Sequence, residues 1–129
     1  MLNTEPLIAI LVHADAAIRA TIELLLRERA VWQIHAVSNG GDAVRVALAV
    51  LPQVVLLNPY LRGMDGVATI AALRAHRITC PVVALVERDD ESQSLWQERG
   101  FAGSITLSAD LSHFAPQLQL LLTPHERTR

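Results

Sequence analysis

The 129-residue chain contains no lysine: all eleven of its basic residues, from Arg19 to Arg129, are arginines. A Schiff base, a phosphate-loop ammonium or a lysine set against a phosphorylated carboxylate is therefore excluded within this chain. Cysteine is nearly absent too. The single Cys80 leaves no internal disulfide and no cysteine-rich zinc cluster. Standing before Pro81 at the start of an apolar run, it reads as a structural thiol, and a reducing, cytoplasmic setting is the expectation. No apolar stretch approaches the roughly 20 residues of a membrane span. The N-terminus lacks an early basic cluster and its apolar run covers only Leu7–Val12, so no secretory signal is expected. Positive charge in excess is missing as well. A formal charge of -2 with scattered arginines provides no field for a phosphate backbone, so nucleic-acid binding by this chain alone is not expected.

What is present is apolar material in short blocks. The chain is 51% hydrophobic and 19% charged, enough for one core. It reads as a single domain over residues 1–122 with a polar tail over 123–129. Leu7–Val12 is a continuously apolar run, the mark of a strand buried on both faces. Within Asp15–Arg29, the spacing of Ile18, Ile22, Leu25 and Leu26 makes a helical stripe, with Asp15 placed to cap it. Val31–Val37 alternates as a second strand, residues 38–41 are a turn signal, and Asp42–Val50 reads as a helix ended by Pro52. Val54–Leu57 is a third strand, residues 58–66 a turn-rich loop, and Val67–His76 a helix. Pro81–Val86 is a fourth strand, Asp89–Arg99 a helix ended by Gly100, and Gly103–Leu107 a weaker fifth strand. Leu111–Leu122 is the last helix. Pro116 is compatible with it if regular helix begins near His113, because proline is tolerated in a first turn.

Five alternations of strand and helix with short connections predict an α/β fold, a five-stranded parallel sheet with helices on both faces. In such a sheet, chemistry sits at the carboxyl ends of the strands. Those positions are His13, Ala14, Asp15, Asn58, Pro59, Glu87, Arg88, Leu107 and Ser108.

Residues 54–66, an apolar strand followed by Asn58-Pro and a Met64-Asp-Gly66 turn, resemble the receiver domain of bacterial two-component response regulators. Residues 81–86 and 100–108 resemble its fourth strand and the region of its lysine-proline pair, and the likeness runs over residues 7–122. It implies a doubly wound, flavodoxin-like (β/α)5 sheet of order 2-1-3-4-5. It also implies a phosphoryl-transfer site with an acidic pair and a phospho-accepting aspartate around magnesium, a hydroxyl, and a lysine. Residue by residue, that set is missing. The acidic pair falls on His13 and Ala14 with Asp15 one place on, the acceptor on Asn58, and the hydroxyl on Glu87. The aromatic switch position is Ser104, the lysine is Leu107, and the proline after it is Ser108. The resemblance is thus to a degenerate form, a pseudo-receiver with no catalytic residue and no cofactor.

A carboxamide cannot form an acyl phosphate, and Pro59 lacks the N–H through which Asn58 would deamidate. Leu107 is expected to close the pocket, and Glu87 opposes phosphate. Glu87 could also pair with Arg88 or His13 and hold its loop in one conformer. The alternative is a metal- or phosphate-binding site on His13, Asp15 and Glu87, a donor set acceptable to zinc or manganese. A flavin or nucleotide site has less support, since no glycine-rich phosphate loop follows the first strand.

The leading expectation is a phosphorylation-independent signalling module that works by protein contact or as a homodimer, with no small-molecule substrate and no membrane partner. The resemblance points to the face of helix four, strand five and helix five, here Leu95, Trp96, Phe101, Phe114, Leu118, Leu121 and Leu122, with Leu95 and Leu118 expected in the core. The region of Trp32 and the second helix is a lesser candidate. Residues 122–127 are similar to the start of a helix-turn-helix output domain.

Overall fold

A computed structural model describes residues 7–28, 32–87, 93–107, 111 and 113–122. Five parallel strands, β1 (Leu7–Val12), β2 (Trp32–Val37), β3 (Val54–Leu57), β4 (Val82–Val86) and β5 (Gly103–Thr106), form one sheet. Its order is β2-β1-β3-β4-β5, as the resemblance implies. The helices are α1 (Ala16–Arg27), α2 (Gly40–Val50), α3 (Gly66–Ala75), α4 (Gln93–Glu98) and α5 (Phe114–Leu122).

The three central strands are apolar without alternation because both of their faces are covered. Every residue of β3 and β4 is buried. One face packs under α2, α3 and α4, where Ile10, Val55, Leu57, Val82 and Ala84 meet Leu73, Trp96 and Phe101. The other packs under α1 and α5, where Leu11, Leu56, Val83 and Leu85 meet Ile22, Leu26, Phe114 and Leu118. Each such aliphatic side chain contributes about 1.5–3 kcal/mol of burial.

Helix starts follow side-chain chemistry. Asp15 caps α1, accepting from the N–H groups of Ala17 at 2.8 Å and Ile18 at 3.2 Å. Asn39 caps α2 by accepting from Asp42 N at 2.8 Å. The expected turn over 38–41 is therefore a cap, and α2 begins two residues earlier than the periodicity indicates. Asp65 caps α3 by accepting from Ala68 N at 2.9 Å. In α5, Pro116 lies in the first turn of a helix that starts at Phe114, which resolves the conflict in the way expected. Of the segment expected to be helical over 89–99, α4 is the described part; residues 88–92 and the tail 123–129 lie outside the described residues.

Burial pushes the Cys80 thiol above its ordinary range, against the opposing pull of Arg74, so it stays a protonated packing group. The Arg74 guanidinium instead ties down the turn before β4, donating to the carbonyls of Ile78 at 2.8 Å and Cys80 at 3.0 Å.

Candidate functional site

Register places the strand carboxyl ends on one rim. Val12 is level with Val37 on β2 and with Leu57 on β3, and Leu57 is level with Ala84 on β4. The rim therefore carries His13, Asn58, Glu87 and Leu107. Ser108 and Arg88, also expected there, lie outside the described residues.

His13 is 4% exposed. Its Nδ1 accepts from Asp15 N at 3.0 Å, which puts the ring proton on Nε2. That Nε2 is buried without a hydrogen-bond partner among the described residues. Burial lowers the His13 pKa, the carboxylates of Asp15 and Glu87 raise it in part, and Arg19 lowers it further. The net direction is downward, so the imidazole is neutral. Arg19 is held close because its guanidinium donates to the His13 carbonyl at 2.6 Å. Ala14 is exposed and contributes no donor.

Asn58 is half-buried, and its Oδ1 accepts from Tyr60 N at 2.9 Å, closing an Asx turn over Pro59. The loop then folds back, with Gly66 N donating to the Pro59 carbonyl at 3.0 Å. A side chain at residue 66 would bring its Cβ within 2.7 Å of Pro59 Cα, so this close approach needs glycine.

Leu107 and Glu87 face a different space. With Ile18, Thr21, Ile22 and Leu111 they line an open groove of about 340 Å³ beside α1. Leu107 thus packs against the α1/α5 core. Glu87 is exposed, and the pairing expected with Arg88 involves a residue outside the described set.

Magnesium, zinc or manganese does not fit these residues. Nδ1 of His13 and the capping Oδ1 of Asp15 are both committed to backbone N–H groups. Among the described residues no three His, Cys, Asp or Glu side chains come together in a cation-binding group. His13, Asp15 and Glu87 therefore do not assemble the alternative metal site.

The expected interaction face is corrected more sharply. Trp96, Phe101 and Phe114 are 2%, 3% and 1% exposed, so these three are core rather than surface, while Leu118 at 2% is the core residue expected. Leu95, Leu121 and Leu122 are half-buried, and Leu95 is not the full core residue expected. The aromatics lie inside on both faces of the sheet, Trp96 and Phe101 in one core and Phe114 in the other. Trp96 meets Phe101 edge-to-face at 5.4 Å and Tyr60 at 6.0 Å, and the Arg99 guanidinium lies 4.8 Å from its ring centre. In the second candidate region, Trp32 is half-buried and shares a cleft with Leu7, Leu26 and Pro116.

Ser104 is buried, and its backbone is gripped from α4. Ser104 N donates to Gln93 Oε1 at 2.8 Å, while Gln93 Nε2 donates to the Ser104 carbonyl at 3.1 Å. Gln97 Nε2 donates to the Ala102 carbonyl at 3.3 Å. Neither glutamine stands out in the sequence reading. Their four-residue separation puts them on one helix face, but nothing in the sequence says that face meets a sheet edge.

The family model described as the response regulator receiver domain matches residues 9–99. The transcriptional regulatory protein SrrA of Staphylococcus aureus is 31% identical over 83 residues, 64% of this chain and 34% of the relative. The chain thus spans about a third of that relative's length. Among solved structures, the chemotaxis response regulator CheY4 of Vibrio cholerae superposes with a TM-score of 0.78 at 18% identity, covering 90% of this chain and 98% of that one. The receiver domain of the sensor histidine kinase PA1611 from Pseudomonas aeruginosa, described with magnesium in its active-site cleft, gives 0.77 at 20% identity, covering 91% and 98%. At such identities the likeness is one of fold.

Proposed function

Because this chain belongs to the response regulator receiver domain family, we propose that it is a signalling domain that acts by protein contact and takes no phosphoryl group. One observation carries the reading: the acceptor position is a carboxamide whose oxygen is already bonded to Tyr60 N. An amide oxygen is a poor nucleophile, and its attack on phosphorus would not yield an acyl phosphate. The surroundings point the same way. A neutral imidazole and an alanine stand where two carboxylates would hold a cation, and a leucine stands where a cation would meet phosphoryl oxygens. No reaction is assigned to the domain.

Its partner is a protein or a second copy, in two-component signalling or transcription regulation in the cytoplasm. The relative named as a transcriptional regulator supports that setting. The fifth helix remains the favoured contact element, because Leu120 is 68% exposed beside half-buried Leu121 and Leu122.

The test is incubation of the protein with magnesium and acetyl phosphate, read by intact mass, with beryllofluoride added in parallel and read by amide chemical shifts. Unchanged mass and unchanged shifts are expected, also for Asn58→Asp, since the other missing groups stay missing. A phosphoryl adduct on the wild-type chain at any residue overturns the reading. Sedimentation of wild type against Leu120→Arg tests the second copy.

A further inference from the structure

We propose that α4 is held in one fixed position by two clamps, Gln93 on the Ser104 backbone and Trp96 against Tyr60, so that the α4–β5 flank is presented permanently. The inference rests on the phosphorylation-independent reading and says what takes the place of a switch.

β5 is an edge strand. An edge leaves backbone donors and acceptors open to pairing with another chain. Gln93 fills that role with one side chain. A primary amide carries the same donor and acceptor as a peptide group, and here Oε1 and Nε2 engage both polar groups of Ser104. Gln97 takes the Ala102 carbonyl. The two contacts are commensurate. Four residues of helix rise about 6 Å, and two residues of strand rise about 6.6 Å. Gln93 with Ser104 and Gln97 with Ala102 run antiparallel, so a slip of either element by one residue breaks both contacts.

Gly103 makes the approach possible. A Cβ there would stand 2.8 Å from Gln93 Oε1 and 2.7 Å from Leu121 Cδ2. On its other side, α4 is tied to the loop after β3. Trp96 is buried under Tyr60, the residue whose N–H is held by Asn58. Asn58 is thereby joined, through one hydrogen bond and one ring contact, to α4.

The experiment uses the full chain in amide hydrogen exchange and relaxation dispersion. Wild type is expected to show slow exchange at Ser104 N–H and flat dispersion over residues 93–98. Gln93→Ala is expected to speed Ser104 exchange roughly three- to tenfold, the effect of one lost hydrogen bond, and to bring microsecond–millisecond exchange into α4. Gln93→Glu keeps the acceptor and loses the donor, so its Ser104 exchange falls between the two. Dispersion across 93–98 in wild type overturns the proposal, as does a wild-type Ser104 rate in both variants. Gln97→Ala supplies the same reading at α4 if Gln93→Ala does not fold. Beryllofluoride added to the same wild-type sample separates the two readings. An adduct with α4 still flat overturns the phosphorylation-independent reading alone, and α4 motion without an adduct overturns the clamp alone.

Discussion

The rim of the sheet and its α4–β5 flank use polar side chains in opposite ways. On the rim, the hydrogen bonds that Asp15, His13 and Asn58 accept come from backbone within a few residues: Asp15 from Ala17 and Ile18, His13 Nδ1 from Asp15, Asn58 from Tyr60. On the flank, Gln93 reaches from α4 across eleven positions to Ser104 on β5, and Gln97 reaches Ala102 just before that strand. The rim is therefore a set of independent local closures, while the flank is a coupled structure. A site whose groups are satisfied locally has few lone pairs or protons left to offer a ligand. A flank whose groups are satisfied between elements holds those elements to one another.

The largest expected effect lies on the flank. Trp96→Ala removes the ring that Tyr60, Phe101 and Arg99 surround and is expected to destabilise the fold by about 3–5 kcal/mol, measured by urea unfolding. Trp96→Phe should lose far less, because it also removes an indole N–H buried without a partner among the described residues. Equal losses in the two variants would mean that the indole nitrogen, not the ring, holds α4.

The next effect falls where the two regions meet. Gly66→Ala drives a methyl to 2.7 Å from Pro59 Cα in the rim loop and 3.0 Å from Phe101 Cζ under the flank. Overpacking there is expected to cost about 1–3 kcal/mol. It should also shift the amide resonances of α4, which a purely local rim loop would leave alone. Asp15→Ala, by contrast, removes only a cap and is expected to cost about 1 kcal/mol. Its amide shifts should stay within α1 and His13, and spread to α4 would break the distinction between local rim and coupled flank.

The rim was more legible in sequence than the flank for the same reason. Apolar runs such as Val54–Leu57 mark buried strands by composition alone, and the residue after each run falls at its carboxyl end, so Asn58 and His13 could be placed by counting. Asp15 was legible as a cap because capping is local. The flank needs register between a helix and an edge strand, which no periodicity within the helix itself reveals. Trp96, Phe101 and Phe114 read as a surface through the resemblance, whereas they fill the cores on the two faces of the sheet. Nothing in the residue types at 93 and 97 indicates an edge strand within reach.

The smallest expected effect returns to the rim and concerns pH. Burial holds the His13 pKa below its ordinary value of about 6.5, with Asp15 and Glu87 offsetting part of the shift. A folded-state pKa below the unfolded one means that the unfolded chain binds more protons on acidification. The stability tied to a neutral His13 is thus fully present above about pH 6.5 and is lost as the pH falls from there toward the folded-state value. In His13→Asn, the side-chain oxygen can accept from Asp15 N in place of Nδ1, and the titration is gone. Urea midpoints measured between pH 8 and pH 5 should fall less on acidification in this variant than in wild type. A parallel fall in both would show that protonation of His13 contributes nothing to the acid sensitivity of the fold.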